Sequence, residues 1–255
     1  MSFCVLQTRP PLVDAATLAA ALRSVPGFPE PDLAPTLAEA AGVLVRGWEA
    51  APAADLQAAL AARGVPAVVR PDGLLPALPP PHGLHQLFLA DGAIVLLDAL
   101  GRRTEWPGAA LGWLAAGRVR GTEFSREVTE RIVNKRMGRH YSVPKVVVET
   151  VTREAPVEHW VLEFMPRDAS RRYLAVADRP ETALLFQCLG ENKTRNPAAN
   201  LLLLLRELAA RAPAAELNEG ARRMLEEGDL TYVYPTKTAF EREQAWRLWR
   251  AAGGL

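Results

Sequence analysis

The chain has 255 residues, of which 49% are hydrophobic, and its 30 basic residues nearly balance 29 acidic ones. This length is sufficient for one full hydrophobic core or for two small domains. The balanced charge excludes a strong non-specific attraction to nucleic acid or to anionic membranes, so we expect no nucleic-acid partner.

The N-terminal sequence and the cysteines favour a cytoplasmic protein. Residues 1–5 contain no basic segment followed by a long apolar stretch, so no signal peptide is predicted. The leucine run 201–205 is far shorter than the roughly 20 residues that cross a bilayer, and we expect no transmembrane segment. Cys4 and Cys188 lie far apart in apolar surroundings, which favours buried reduced thiols over a disulfide or a nucleophile.

Residues 1–75 predict a small α/β unit with the order strand, helix, helix, strand, helix, strand. Asp14 is placed to cap the first helix, Pro26-Gly27 ends it, and Gly64 ends the third helix. The predicted elements are, in chain order, strand 4–8, helix 15–25, helix 33–40, strand 42–47, helix 53–64 and strand 65–70.

Three of these segments share their pattern with a known family. They are Leu22-Arg23-Ser24-Val25-Pro26-Gly27-Phe28, where the family has an apolar helix end followed by Thr-Gly-Leu, the short helix 33–40, and helix 53–64 before a strand. In these features the first unit resembles the C-terminal domain of the bacterial ribosomal stalk protein. The resemblance implies the fold but not the family's binding of translation factors, because Ala, Pro and Glu stand where that family has lysines. The same kind of sandwich serves as a peptide-adaptor scaffold, which makes protein contacts an expectation by analogy.

Residues 76–83 are rich in proline and predict an extended linker to a second unit, 84–255. This unit begins with short strands over 84–97, joined by an Asp91-Gly92 hairpin turn. Further strands follow, and a helix is expected to begin at Pro180-Glu181. The later predicted strands are 102–106, 111–117, 146–151, 157–164 and 172–176.

Two meanders followed by a helix resemble the layout of a pleckstrin-homology-like barrel. The predicted fold class is therefore α+β, with a small α/β sandwich followed by a pleckstrin-homology-like β domain that carries C-terminal helices.

A charged insertion, residues 121–145, separates the two sets of strands. Between positions 118 and 145 the sequence has eight basic and three acidic residues. One hypothesis is a site for phosphate, an inositol headgroup or an acidic partner segment. Its core would consist of Lys135, Arg136, Arg139 and His140. The alternative is a solvated helix or loop in which Glu127 and Arg131 form an ordinary i,i+4 pair.

The C-terminal region predicts three helical segments. Asn196-Pro197 begins a leucine-rich helix, a second helix follows over 215–227, and a short strand is expected over 231–234. Thr238-Ala239-Phe240-Glu241 has the form of a capping box at the start of the last helix. Trp246 and Trp249 in that helix could anchor a protein partner, or they could dock the helix onto its own domain.

The common catalytic and cofactor motifs are absent from the sequence. It contains no glycine-rich phosphate loop, no His-Glu-x-x-His and no Gly-x-Ser-x-Gly. His82 and His85 form a single pair at metal-ligand spacing, and Glu158 and His159 are adjacent on a strand and therefore face opposite ways. We therefore predict no enzymatic activity, no cofactor and no metal. The expected function is a protein-binding or regulatory module with an unknown protein partner, and the alternative is an anionic-ligand sensor that uses the basic insertion.

Overall fold

The computed structural model describes residues 1–84, 86–90, 92–98, 100–136, 142–178 and 184–254. Over 123–136 and 142–153 it describes the course of the backbone. The chain is a mixed α/β protein with several sheets. No helix in the described ranges is long and apolar enough to cross a membrane.

The first 71 residues contain the six predicted elements in the predicted order. The elements are β1 (Phe3–Gln7), α1 (Ala15–Arg23), α2 (Leu33–Glu39), β2 (Val43–Trp48), α3 (Ala50–Ala61) and β3 (Ala67–Pro71). In the three-stranded sheet, β1 lies in the centre and pairs antiparallel with both β2 and β3. Asp14 caps α1 by accepting a 2.8 Å hydrogen bond from the backbone N–H of Thr17, as expected from the sequence.

The remaining strands and helices form a second core. The elements are β4 (Pro81–Gly83), β5 (Gln86–Ala90), β6 (Ala93–Leu97), β7 (Arg103–Pro107), β8 (Leu111–Arg136), β9 (Ser142–Pro166), β10 (Arg172–Val176), α4 (Pro197–Arg211), β11 (Glu216–Leu217), α5 (Glu219–Glu226), β12 (Val233–Tyr234) and α6 (Lys237–Ala251). One sheet has the order β5-β6-β7, and the other has β11-β8-β9-β10-β4, with β12 also pairing with β8.

Both faces of the β8-β9-β10 sheet pack against other elements. Successive side chains along a strand point to opposite faces, so alternate residues of one strand belong to different cores. On one face Leu162 and Phe164 join the core that includes the β5-β6-β7 sheet and α4. On the other face Val161 packs with Phe240 of α6. The predicted leucine-rich helix is α4, and its buried stripe is formed by Leu201, Leu204, Leu205 and Leu208.

Helix α6 connects the two cores. Its Trp246 and Trp249 pack against Cys4 and Leu6 of β1, while Phe240 packs against the β8-β9 sheet. The side chain of Arg242 pairs with Glu39 of α2 at 2.6 Å. The helix is therefore a layer shared by the first sheet and the second.

Several local predictions are wrong. The insertion 121–145 is neither a helix nor a loop over its described residues, because β8 continues to Arg136 and β9 begins at Ser142. Glu127 and Arg131 are therefore strand residues and not a helical i,i+4 pair. The segment 81–83, predicted as linker, pairs in parallel with β10.

Two helix starts also differ from the prediction. In the predicted helix after Pro180-Glu181, residues 179–183 lie outside the described part, 184–186 are not helical, and 187–192 form a 3-10 helix. The cap of α6 is Thr236, which accepts a hydrogen bond from Ala239, and not Thr238. The turn between β5 and β6 has two residues, as predicted, because Ala90 pairs with Ala93; Asp91 itself lies outside the described residues.

Candidate functional site

The outer part of the β8–β9 hairpin is a two-stranded ribbon. Beyond the Gly121–Val157 pair, β8 and β9 pair with each other as far as Arg136 and Ser142. The other described strands that pair with this hairpin do so nearer its base, β11 at 113–114, β12 at 118–119 and β10 at 161–164. Fifteen residues of strand, 122–136, extend about 50 Å at roughly 3.3 Å per residue.

Charge is segregated along this ribbon. Residues 131–145 contain five basic residues and no acidic one, whereas 122–130 and 146–156 together contain five acidic and two basic ones. We call the strand residues 131–136 and 142–145 the basic end of the hairpin. The ribbon therefore has a cationic end and a more acidic base.

The register places three cations on one face of the basic end. Val133 pairs with Lys145, and residues opposite each other in an antiparallel pair share a face. Arg131 and Lys135 are two residues to either side of Val133, so that they lie on the same face as Lys145. Arg136 pairs with Ser142 on the other face.

The sequence-predicted anion site is thus only partly described. Lys135 and Arg136 are neighbours on β8 and lie on opposite faces, while Arg139 and His140 are outside the described residues. Arg131 and Lys145, which the predicted core omitted, share a face with Lys135. Only the strand register reveals this grouping, because the three residues are up to 14 positions apart in sequence.

A second candidate site is a cavity of about 210 Å³ on the face of the second sheet that α6 covers. It lies beside the first turn of α6, and Lys237 and Phe240 form part of its wall. The walls from the sheet are mostly apolar, from Val119, Val161, Leu174 and Val176. At one end lie Glu163 and Arg172, and at the other His159, which faces Asp178 at 3.4 Å.

Glu163 is the most unusual group in the cavity. Its side chain has no exposure to solvent, and Nε of Arg172 lies 2.9 Å from its Oε2 atom. That contact does not have hydrogen-bond geometry, and neither carboxylate oxygen has a hydrogen-bond donor among the described residues. Burial raises the pKa of Glu163 to about 7, outweighing the attraction of Arg172, which acts in the opposite direction.

Arg172 also reaches the helix beside the cavity. Its Nη2 lies 2.8 Å from Oε1 of Glu241 on α6, and Lys237 lies 3.7 Å from the same oxygen. The guanidinium therefore bridges the buried Glu163 to the partly exposed Glu241 and fixes β10 to α6.

A second buried polar cluster in the same part of the chain is fully paired. The hydroxyl of Tyr234 donates to Oε2 of Glu243 at 2.6 Å and accepts from the backbone N–H of Gly220 at 3.0 Å. Oε1 of Glu243 accepts from the backbone N–H of Glu219 at 2.7 Å and from Nε of Arg247 at 2.8 Å. Because its groups satisfy one another, we interpret this cluster as structural.

The two tryptophans predicted as partner anchors are buried in the folded protein. Trp246 is fully buried and Trp249 is 5% exposed, both against the first sheet. The indole N–H of Trp246 donates to the backbone carbonyl of Gln7. In this structure the indoles hold α6 in place, and a partner-binding role for them stays a prediction that requires the helix to undock.

Among the residues that the structure describes, no group of three or more His, Cys, Asp or Glu side chains is placed to hold a metal ion. His82 is described, but its predicted companion His85 is not. No family model, no curated protein and no solved structure matches this chain.

Proposed function

We propose that this chain is a non-enzymatic binding module that contacts an acidic segment of a protein partner through the basic end of its hairpin. The observation that supports it is the shared face of Arg131, Lys135 and Lys145 near the end of a two-stranded ribbon. A group of cations attracts and positions an anionic partner.

The charge of the ribbon favours a short acidic segment over a long polyanion. A nucleic-acid duplex lying along the ribbon would meet the acidic residues nearer its base, which repel phosphate. A short peptide contacts the basic end alone. It can also add as a strand, because the outer ribbon has two edges without a third strand in the described structure.

We further infer that the two units have the folds suggested by their sequence patterns. The order of the six elements in 1–75 supports a sandwich similar to the ribosomal stalk C-terminal domain. The packing of α4 in one core with both sheets supports a pleckstrin-homology-like arrangement for 84–255. Both kinds of fold serve as contact scaffolds, which agrees with a binding role by analogy only.

The test measures the binding of a fluorescein-labelled glutamate dodecapeptide to the full chain. Fluorescence anisotropy reports the bound fraction at low and at physiological salt. We expect saturable binding that weakens with salt, since the contact is between charges. Reversing Arg131, Lys135 and Lys145 to Glu should weaken it at least tenfold.

The matched control reverses three exposed arginines elsewhere, Arg9, Arg195 and Arg206, and so changes the net charge by the same amount. It should bind within twofold of the unmodified chain. Equal loss in both variants would reduce the effect to net charge and contradict the proposal. Tighter binding of a DNA duplex, of inositol hexakisphosphate or of phosphatidylserine vesicles than of the peptide would favour the phosphate-sensing alternative instead.

A further inference from the structure

We infer that the cavity beside Glu163 is a binding site for a small neutral molecule with an apolar body and a hydroxyl or primary amide head, which hydrogen-bonds to the Glu163 carboxyl group. Two independent observations support this: a cavity with mostly apolar walls, and a fully buried carboxylate at its end without a hydrogen-bond donor in the described structure. The site is separate from the basic end of the hairpin and does not depend on the proposed function.

The comparison with Glu243 argues against a purely structural role for Glu163. Both glutamates are fully buried, Glu243 on α6 and Glu163 on β9, and each lies near an arginine. Each oxygen of Glu243 accepts at least one hydrogen bond, whereas neither oxygen of Glu163 does. Buried polar atoms in proteins are almost always hydrogen-bonded. Oε1 of Glu163 has no partner in the described structure and Oε2 faces only the Arg172 guanidinium, which leaves room for a further donor.

The charges around Glu163 determine the kind of head group. A cationic head would be repelled by Arg172, whose Nε is 2.9 Å from the carboxylate, and by Lys237, which also lines the cavity. An anionic head would be repelled by the carboxylate itself. A neutral head that donates a hydrogen bond satisfies an oxygen of Glu163 without adding charge to a buried site.

The size and the walls of the cavity determine the body of the ligand. A volume of about 210 Å³ corresponds to roughly seven waters at about 30 Å³ each, more than two acceptor atoms need. The side chains of Val119, Val161, Leu174 and Phe240 offer no hydrogen bonds to that much water. An aliphatic or single-ring body fills the space better, and the cavity is smaller than the pockets of about 300 Å³ or more that hold drug-sized molecules.

The test uses four probes with the same six-carbon chain and different heads: 1-hexanol, hexanamide, hexylamine and hexanoate. Each is titrated into the ¹⁵N-labelled full chain at pH 8, and shifts of the backbone amide signals of Val161 and Leu174 report occupancy. We expect hexanol and hexanamide to bind, and hexylamine and hexanoate to bind at least tenfold more weakly.

Two variants separate the site from the fold. Val176→Trp fills the cavity, leaves Glu163 in place and should abolish the shifts for all four probes. Glu163→Leu removes the acceptor oxygens. The variant should still bind the probes through their apolar chains, but it should no longer prefer hexanol and hexanamide. Binding of hexanoate as tight as that of hexanamide, no saturable shift with any probe, or binding that survives Val176→Trp would overturn the inference.

Discussion

Gly42 lies directly beneath the indole ring of Trp246. A Cβ atom at position 42 would come 2.2 Å from Cδ2 of the indole, and the backbone φ of Gly42 is +72°. The backbone carbonyl of Gly42 accepts a 2.8 Å hydrogen bond from the N–H of Gln7, and the carbonyl of Gln7 accepts the indole N–H. The absence of a side chain at Gly42 therefore allows α6 to reach the first sheet.

The first prediction concerns this contact. Gly42→Ala should lower the free energy of unfolding by about 2 to 5 kcal/mol, because a positive φ costs an L-residue about 1–2 kcal/mol and overpacking against the indole about 1–3 kcal/mol more. Gly27 is the matched control, since its φ is +73° and no atom lies within 4 Å of the Cβ position. Gly27→Ala should cost only about 1–2 kcal/mol in urea unfolding. Equal costs for the two variants would mean that the indole does not lie on Gly42.

The second prediction concerns the buried Tyr234 cluster. Tyr234→Phe removes the hydroxyl that bonds to Gly220 and Glu243 and leaves buried polar atoms without partners, so we expect a loss of about 2–4 kcal/mol in stability. Tyr232→Phe provides the control, because Tyr232 is only partly buried and its ring contacts Tyr234 edge-on at 5.0 Å. It should change stability by less than about 1 kcal/mol in the same urea titration. A tolerated Tyr234→Phe would show that the cluster is not structural.

The third prediction is a pH dependence that originates at Glu163. Its pKa is about 7 in the folded chain against an ordinary value of 4.5, so the folded state holds a proton that the unfolded state has released between these values. The stability that this proton confers is complete below pH 4.5 and is lost as the pH rises through 7. The loss amounts to about 3 kcal/mol, at 1.36 kcal/mol per unit.

Glu163→Gln does not titrate and tests this directly. The stability of the variant relative to the unmodified chain should increase by about 3 kcal/mol between pH 4.5 and 8, measured by urea unfolding at one-unit steps. Asp14→Asn provides a control with the opposite pH dependence. The hydrogen bond from the Thr17 N–H lowers the pKa of Asp14, so the stability that the ionised carboxylate contributes is lost as the pH falls. Parallel pH profiles for the unmodified chain and Glu163→Gln would refute the prediction.

The fourth prediction concerns the independence of the ribbon. Replacing residues 122–156 with an Asn-Gly turn between Gly121 and Val157 should change the thermal midpoint of unfolding by only a few degrees. The reason is that β10, β11 and β12 all pair with the part of the hairpin that this variant keeps. The same deletion should abolish binding of the glutamate dodecapeptide. A large fall in the midpoint in a calorimetric scan would mean that the ribbon contributes to a core.

Local signals in the sequence predicted local structure well. Asp14 and Asn196 cap the helices that they were expected to cap, because a capping side chain bonds to backbone only two or three residues away. The leucine stripe of α4 is likewise visible as a repeat along one helix. The start of α6 was misplaced by two residues, because Thr236 and Thr238 are equally good caps and only the packed helix distinguishes them.

The candidate sites depend on contacts between distant residues, so the sequence indicated only part of the basic site, through Lys135, and nothing of the cavity beside Glu163. Glu163 is one polar residue in a partly alternating strand, and neither its burial nor its proximity to Arg172 follows from that pattern. The common face of Arg131 and Lys145 requires the hairpin register. The docking of Trp246 on β1 joins residues about 240 positions apart, which no local signal encodes.

The dependence of the first sheet on α6 has a consequence for synthesis on the ribosome. β3 ends at Pro71, and α6 ends at Ala251, 180 residues later (251 − 71). At a synthesis rate of about 5–20 residues per second, the side chains of Cys4, Leu6 and Val43 stay exposed for on the order of 10 to 40 s before α6 can pack on them. The nascent chain thus exposes this apolar surface of the first sheet while those 180 residues are made, and the surface is buried only once α6 has emerged.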